Sequence, residues 1–225
     1  MMNNITYISI LLFSYTLIVL LIAKINKVRP GIMLYQKLQP GNVKLLNCLH
    51  AAAALLMFLP VCVIHPLPVS LLIFPDRISL GQALAFITVV FAMGFFPWTK
   101  FKNDHQQEMA GVKLHLSSVI FYVSLRIITL IIYEFFFRGL MLVLFSASLG
   151  VEWSIVINIL LYTVIHLQKE KKEIIGCIPF GLLLCVFTIW WQSVWPAIIF
   201  HLQLATINEW PPLQQSLSPQ EQTAL

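Results

Sequence analysis

The sequence predicts an all-α fold, a polytopic membrane helical bundle of about seven transmembrane helices, and three observations carry that expectation. Of 225 residues, 59% are hydrophobic and 10% charged, whereas a soluble domain carries roughly 25% charged residues to cover its water-facing surface. The apolar residues fall in runs long enough to cross a bilayer core, which takes about 20 residues of helix. Lys and Arg gather in the short segments between those runs, as they do in cytoplasmic loops. The net charge of +5 is accounted for by those loops, so the partner implied is the lipid bilayer and no nucleic acid. With no internal repeat and no linker long enough to separate one domain from another, residues 1–225 read as a single integral membrane domain.

The first run, residues 5–23, has no Lys or Arg before it and no A-x-A-like site after it, so a retained helix is expected rather than a cleaved signal. Lys24, Lys27, Arg29, Lys37 and Lys44 come next with no acid among them. They place that loop in the cytoplasm and the N-terminus outside. The second span is expected over residues 45–64, with His50 near its cytoplasmic end. Pro60, Pro66 and Pro68 keep the end of this span and the chain just beyond it irregular. Residues 69–74 then form a short interfacial piece, a candidate eighth span too short to cross alone. The third span, residues 78–98, leads into a polar, net-positive loop that holds Lys100, Lys102, Asp104, His105, Glu108 and Lys113.

The fourth run, residues 116–145, is about 30 residues, or roughly 45 Å as one helix. That exceeds a bilayer core, so a tilt or a break is expected. Gly150 lies in the outer turn. The fifth span, residues 153–167, carries Asn158, Tyr162 and His166. Lys169, Lys171 and Lys172 mark another cytoplasmic loop. The sixth span, residues 174–191, holds Pro179 and Gly181 as an expected kink. The seventh, residues 194–207, opens with Trp195-Pro196, and proline suits the first turn of a helix. Residues 208–225 are polar and are expected to be a mobile tail. Cys48, Cys62, Cys177 and Cys185 form no CxxC pair and read as small packing residues.

The functional signal is the set of polar residues inside the apolar runs: Arg126, Glu134, Arg138, Asn158, His166 and His201. Each is costly alone in hydrocarbon, so each needs a partner or water. One shared polar site between the fourth, fifth and seventh spans is the economical arrangement. A carboxylate among phenylalanines has its charged form disfavoured by desolvation, and a nearby Arg opposes that. Such a glutamate can take a proton from water and hand it to a leaving amine. A histidine can share that role, orient the water, or donate to an oxyanion. Glu134, His166 and His201 thus make a hydrolase set without serine or cysteine. Zinc held by the same three residues is the minority alternative, and the HExxH ligand pair is absent. A buried Glu134–Arg138 pair that only pins helices, or a binding or transport role, stands beside catalysis.

These residues resemble the CPBP family of intramembrane proteases, which includes the CAAX prenyl endopeptidases and bacterial proteins linked to bacteriocin processing and immunity. The family pattern begins with EExxxR ending in FRG, and here the stretch is YEFFFRG, residues 133–139. Its FxxxH is Tyr162 to His166. Its third element, HxxxN or HxxxD after a W-P-A-type helix start, is Trp195-Pro196-Ala197 and then His201. The protease-like motif region is residues 116–207. Two positions depart from the pattern: Tyr133 stands where the first Glu would be, and Ala205 where the Asn or Asp would be. Asn208 and Asn158 are candidate substitutes for the latter. The resemblance implies a glutamate-dependent, metal-independent endopeptidase of a bacterial inner (plasma) membrane. In it Glu134 and His166 activate water, His201 holds the oxyanion and Arg138 orients the acid. The substrate would be a peptide or the membrane-near region of a protein. The alternatives are a non-proteolytic family member acting in bacteriocin immunity or binding, and a small proton-coupled transporter.

Overall fold

The computed structural model describes residues 69–104, 115–167 and 171–217, and of the earlier chain residues 13, 17, 48, 51, 52 and 54–60. Every regular element among them is helical. A 3-10 turn (Val69–Leu72) precedes α1 (Leu80–Asp104). α2 (Leu116–Glu134) continues through a π-helical segment (Phe135–Met141) into α3 (Leu142–Leu149). Then come α4 (Val151–Ile165), α5 (Lys171–Trp191) and α6 (Trp195–Ser216).

The connections explain the packing. Gly150 sits at φ 87°, a backbone state open to glycine, and there the chain reverses so that α4 runs back along α3 and the π segment. Ser154 Oγ donates to Leu142 O at 2.8 Å, and one turn on Asn158 Nδ2 donates to Phe137 O at 2.7 Å. α5 lies close over α4 at Gly181, where an added Cβ would meet the Tyr162 ring at 3.2 Å. The start of α6 grips the 3-10 turn. Val194 N–H donates to Leu71 O, Trp195 Nε1 to Leu72 O, and Ser193 Oγ to Ile73 O. α1 closes the bundle against α5 and α6 through Phe86, whose ring lies 5.0 Å from that of Phe200. Gln203 Nε2 on α6 donates to Val90 O at 2.7 Å.

Outward faces are apolar at helical spacing. Leu80, Leu84, Ile87, Phe91 and Phe95 line α1, and Ile175, Ile178, Leu182, Val186 and Trp190 line α5, all exposed. Glu134, Arg138, Ser154 and Asn158 are fully buried. Apolar outer faces around a few buried charged and polar groups depart from the soluble pattern and suit a lipid solvent, in which polar groups must pair internally. Leu116–Leu149 and Lys171–Trp191 are long and apolar enough to cross a membrane, and Leu80–Phe95 and Val151–Ile165 are shorter apolar helices.

Several expectations fall outside the described residues: the first span, the basic loop after it, His50, Cys62, the loop with His105 and Glu108, Lys169, and the tail from residue 218. Where the structure describes the chain, three boundaries change. The fourth run is one continuous helix from Leu116 to Leu149 rather than two pieces, and its α-helical bonding is interrupted by the π segment. α1 runs past residue 98 to Asp104, so the stretch with Lys100 and Lys102 is helical. α6 runs to Ser216 where a polar tail is expected from Asn208, and it continues past Pro211 and Pro212. Pro179 lies inside α5, which continues past it.

Candidate active site

The site begins where α2 becomes a π-helix. Glu134 is the last α-helical residue and Arg138 lies within the π segment. Their i,i+4 spacing puts them on one face. Arg138 Nη1 stands 3.2 Å from Glu134 Oε2 and 3.4 Å from Oε1. The guanidinium lies over the Tyr162 ring at 4.7 Å, a cation–π contact. Both charges are fully buried, so each needs the other. Gly139 completes the stretch for a steric reason: a Cβ there would lie 2.8 Å from the Phe135 ring, which packs on Val194 and Ile198 of α6.

α6 brings the third group. His201 Nδ1 meets Glu134 Oε1 at 2.5 Å. With Glu134 ionised, Nδ1 is the donor, and Nε2 is left as the ring's other nitrogen. Three aromatic rings stand edge-on around the imidazole: Tyr133 at 5.7 Å, Phe180 at 5.8 Å and Tyr162 at 6.4 Å. This wall makes the surroundings of the Glu134–His201 pair apolar, where electrostatic interactions are strong.

His166 stands at the end of α4, next to Tyr162, with ring centroids 4.5 Å apart. Its Nδ1 is 2.8 Å from Tyr162 O. A carbonyl only accepts, so Nδ1 carries the proton and Nε2 is the lone-pair nitrogen in the neutral ring. The antiparallel pairing of Asn158 with Phe137 and of Tyr162 with Tyr133 sets His166 about one turn beyond Glu134. The direct partner of Glu134 is nonetheless His201, with His166 reached around Tyr162.

The auxiliary residues separate. Tyr133 and Tyr162 both join the aromatic wall. Asn158 is buried in the bundle, bound to Phe137 O and accepting Cys185 Sγ–H at 3.5 Å. Asn208 is exposed and donates to Leu204 O of its own helix at 2.8 Å, so it does not join the site. Ala205 is half-buried one turn below His201. Arg126 is half-buried on α2, two turns before Glu134. Glu134, His166 and His201 do not form one ligand shell: among the described residues no three His, Cys, Asp or Glu side chains gather as metal ligands.

Two features escape sequence reading. Phe180 reads as one more apolar residue, and Gly181 as the site of a kink. A small residue directly after an aromatic one, beside a proline, is the only signal there, and it does not name its partner. Arg138 Nε and Nη2 have no hydrogen-bond partner among the described residues, and Glu134 Oε2 has only its ion pair with Arg138 Nη1. Buried polar atoms of this kind are ordinarily satisfied by water, and these lie where a reaction would need polar groups.

A buried carboxylate held between a guanidinium and an imidazole, inside a lipid-facing bundle, defines the polar centre of a membrane protein. Comparison with known families places it further. Residues 115–207 match the family described as Type II CAAX prenyl endopeptidase Rce1-like, and the chain carries a domain of that CPBP family over α2 to the middle of α6. No curated protein and no solved structure matched the chain.

Proposed function

We propose that this chain is an intramembrane endopeptidase that uses Glu134 to activate water, acting on a peptide or the membrane-near segment of a protein. The observation that carries the reading is the fully buried Glu134 in contact with both His201 and Arg138, inside the region that matches an endopeptidase family. Water attacks the scissile carbonyl and its proton passes to Glu134. The tetrahedral intermediate then collapses, the C–N bond breaks and the same proton goes to the leaving amine. His166 presents Nε2 to the attacking water. His201, steered through Nδ1 by Glu134, turns Nε2 toward the reacting carbonyl and in its protonated form donates to the oxyanion. Arg138 holds the carboxylate in place. The apolar outer faces and the basic loops support a place in a bacterial inner membrane, with those loops cytoplasmic and the N-terminus outside.

The rival reading, an immunity or binding protein that uses the same residues without cleavage, draws on Tyr133 and Ala205. Purified protein offered peptides from membrane-near protein segments decides between them. Cleavage by the wild type and loss of about 100-fold or more in Glu134→Gln supports the protease. Binding of a peptide without cleavage supports the rival.

A further inference from the structure

The π segment raises a question that the pairing of Glu134 and Arg138 does not answer: what keeps it from relaxing to an α-helix? π-helices are rare and occur mostly as single-turn insertions at functional sites. Seven residues here, Phe135–Met141, adopt one. Its closing bond is Leu142 N–H to Phe137 O, an i→i−5 bond. Relaxation would turn α2, with Glu134 at its end, by about one residue, or about 100° around the axis, relative to α3. With α3 held against α4, Glu134 would then turn away from His201.

Two side chains of α4 hold that geometry. Asn158 Nδ2 donates to Phe137 O at 2.7 Å, the same carbonyl that accepts the π-closing bond. One turn away, Ser154 Oγ donates to Leu142 O at 2.8 Å. Both side chains are fully buried, in surroundings where a polar amide or hydroxyl without a partner is strongly disfavoured. Phe137 is the residue immediately before Arg138.

We infer that Asn158 is a positioning residue of the site: with Ser154, its amide holds the π segment and so keeps Glu134 and Arg138 facing His201. This differs from the oxyanion role for which Asn158 is a sequence candidate. The amide is spent on a backbone carbonyl of the neighbouring helix, one turn from the aromatic wall. As a statement about catalysis the inference rests on the proposed protease reading; as a statement about geometry it does not.

Nitrogen-15 NMR of histidine-labelled protein in detergent tests the geometry, with His201 assigned by its loss in His201→Gln. In Asn158→Leu, similar in size but without a donor, the His201 Nδ1 resonance is expected to leave its wild-type position. In Cys185→Ala, which removes the other partner of the Asn158 side chain, it stays. An unmoved resonance in Asn158→Leu overturns the inference. Should that variant not fold, Ser154→Ala takes its place, with a smaller displacement expected and none contradicting it. With a cleaved substrate in hand, Asn158→Leu lowers kcat about 100-fold with KM within about twofold. An unchanged kcat, or a fall matched by a lower melting temperature and a higher KM, overturns the positioning role. Full cleavage by Glu134→Gln instead removes the role of Glu134 in the proposed function and leaves the NMR result to stand for the geometry.

Discussion

Arg138 is the residue on which the site's stability turns. It is fully buried, touches Glu134 at 3.2 Å and lies over Tyr162. Removing one member of a buried pair leaves an uncompensated charge and costs about 3–5 kcal/mol. Arg138→Leu is therefore expected to lower stability by that order, read from unfolding in detergent, and Arg138→Leu with Glu134→Gln recovers most of it. A double variant as weak as the single would show that Arg138 acts through packing alone. At this scale the sequence is informative because an ionisable residue in an apolar run has few explanations. Glu134, Arg138 and His201 come together as their chemistry demands. That the direct partner of Glu134 is His201 is not legible, since histidine spacing along two helices does not fix which imidazole turns toward the acid. Nor does Asn208 show itself as an exposed residue: two helical turns put it on nearly the same face as His201, but that face has left the bundle interior by then.

At the scale of the element, glycine distinguishes close approach from mere tolerance. A Cβ on Gly139 would lie 2.8 Å from the packed Phe135 ring, whereas nothing lies within 4 Å of one on Gly176. Gly139→Ala should lower stability by about 1–3 kcal/mol through overpacking. Gly176→Ala in α5 should be neutral or add up to about 1 kcal/mol, because glycine weakens a helix interior. Thermal melting of both variants checks this, and equal effects would contradict the packing described. The helical runs themselves are legible from apolar length and from loop charge. The π segment is not, because an i→i−5 bond leaves no compositional mark: the same apolar residues serve either helix. The excess length of the fourth run hints at an irregularity, and partners on α4, twenty or so residues later, decide its form.

The described helices form a bundle with apolar outer faces, and its orientation is argued from charge. The lysines that open α5 lie at the opposite end from Gly150. Glu173 and Val151 are both exposed, so Glu173→Cys and Val151→Cys, in a cysteine-free background, report the two ends. An impermeant maleimide applied to intact cells is expected to label Val151→Cys alone, and Glu173→Cys should react only after the membrane is opened. The reverse pattern would overturn the topology. Membrane character is evident from the sparsity of charge, but the order of helices around the site is not: α1 packs on α6 and α2 meets α6 through contacts between residues distant in sequence. Hydrophobic side chains of similar size carry little information about such pairings.

In the proposed function Glu134 activates the water that cuts a peptide bond in this membrane site. The most direct measurement of this is cleavage of one peptide substrate in oxygen-18 water by purified wild type and by Glu134→Gln. A single labelled oxygen is expected in the new carboxyl terminus for the wild type, and a loss of about 100-fold or more in rate for the variant. Cleavage by Glu134→Gln at the wild-type rate would contradict it.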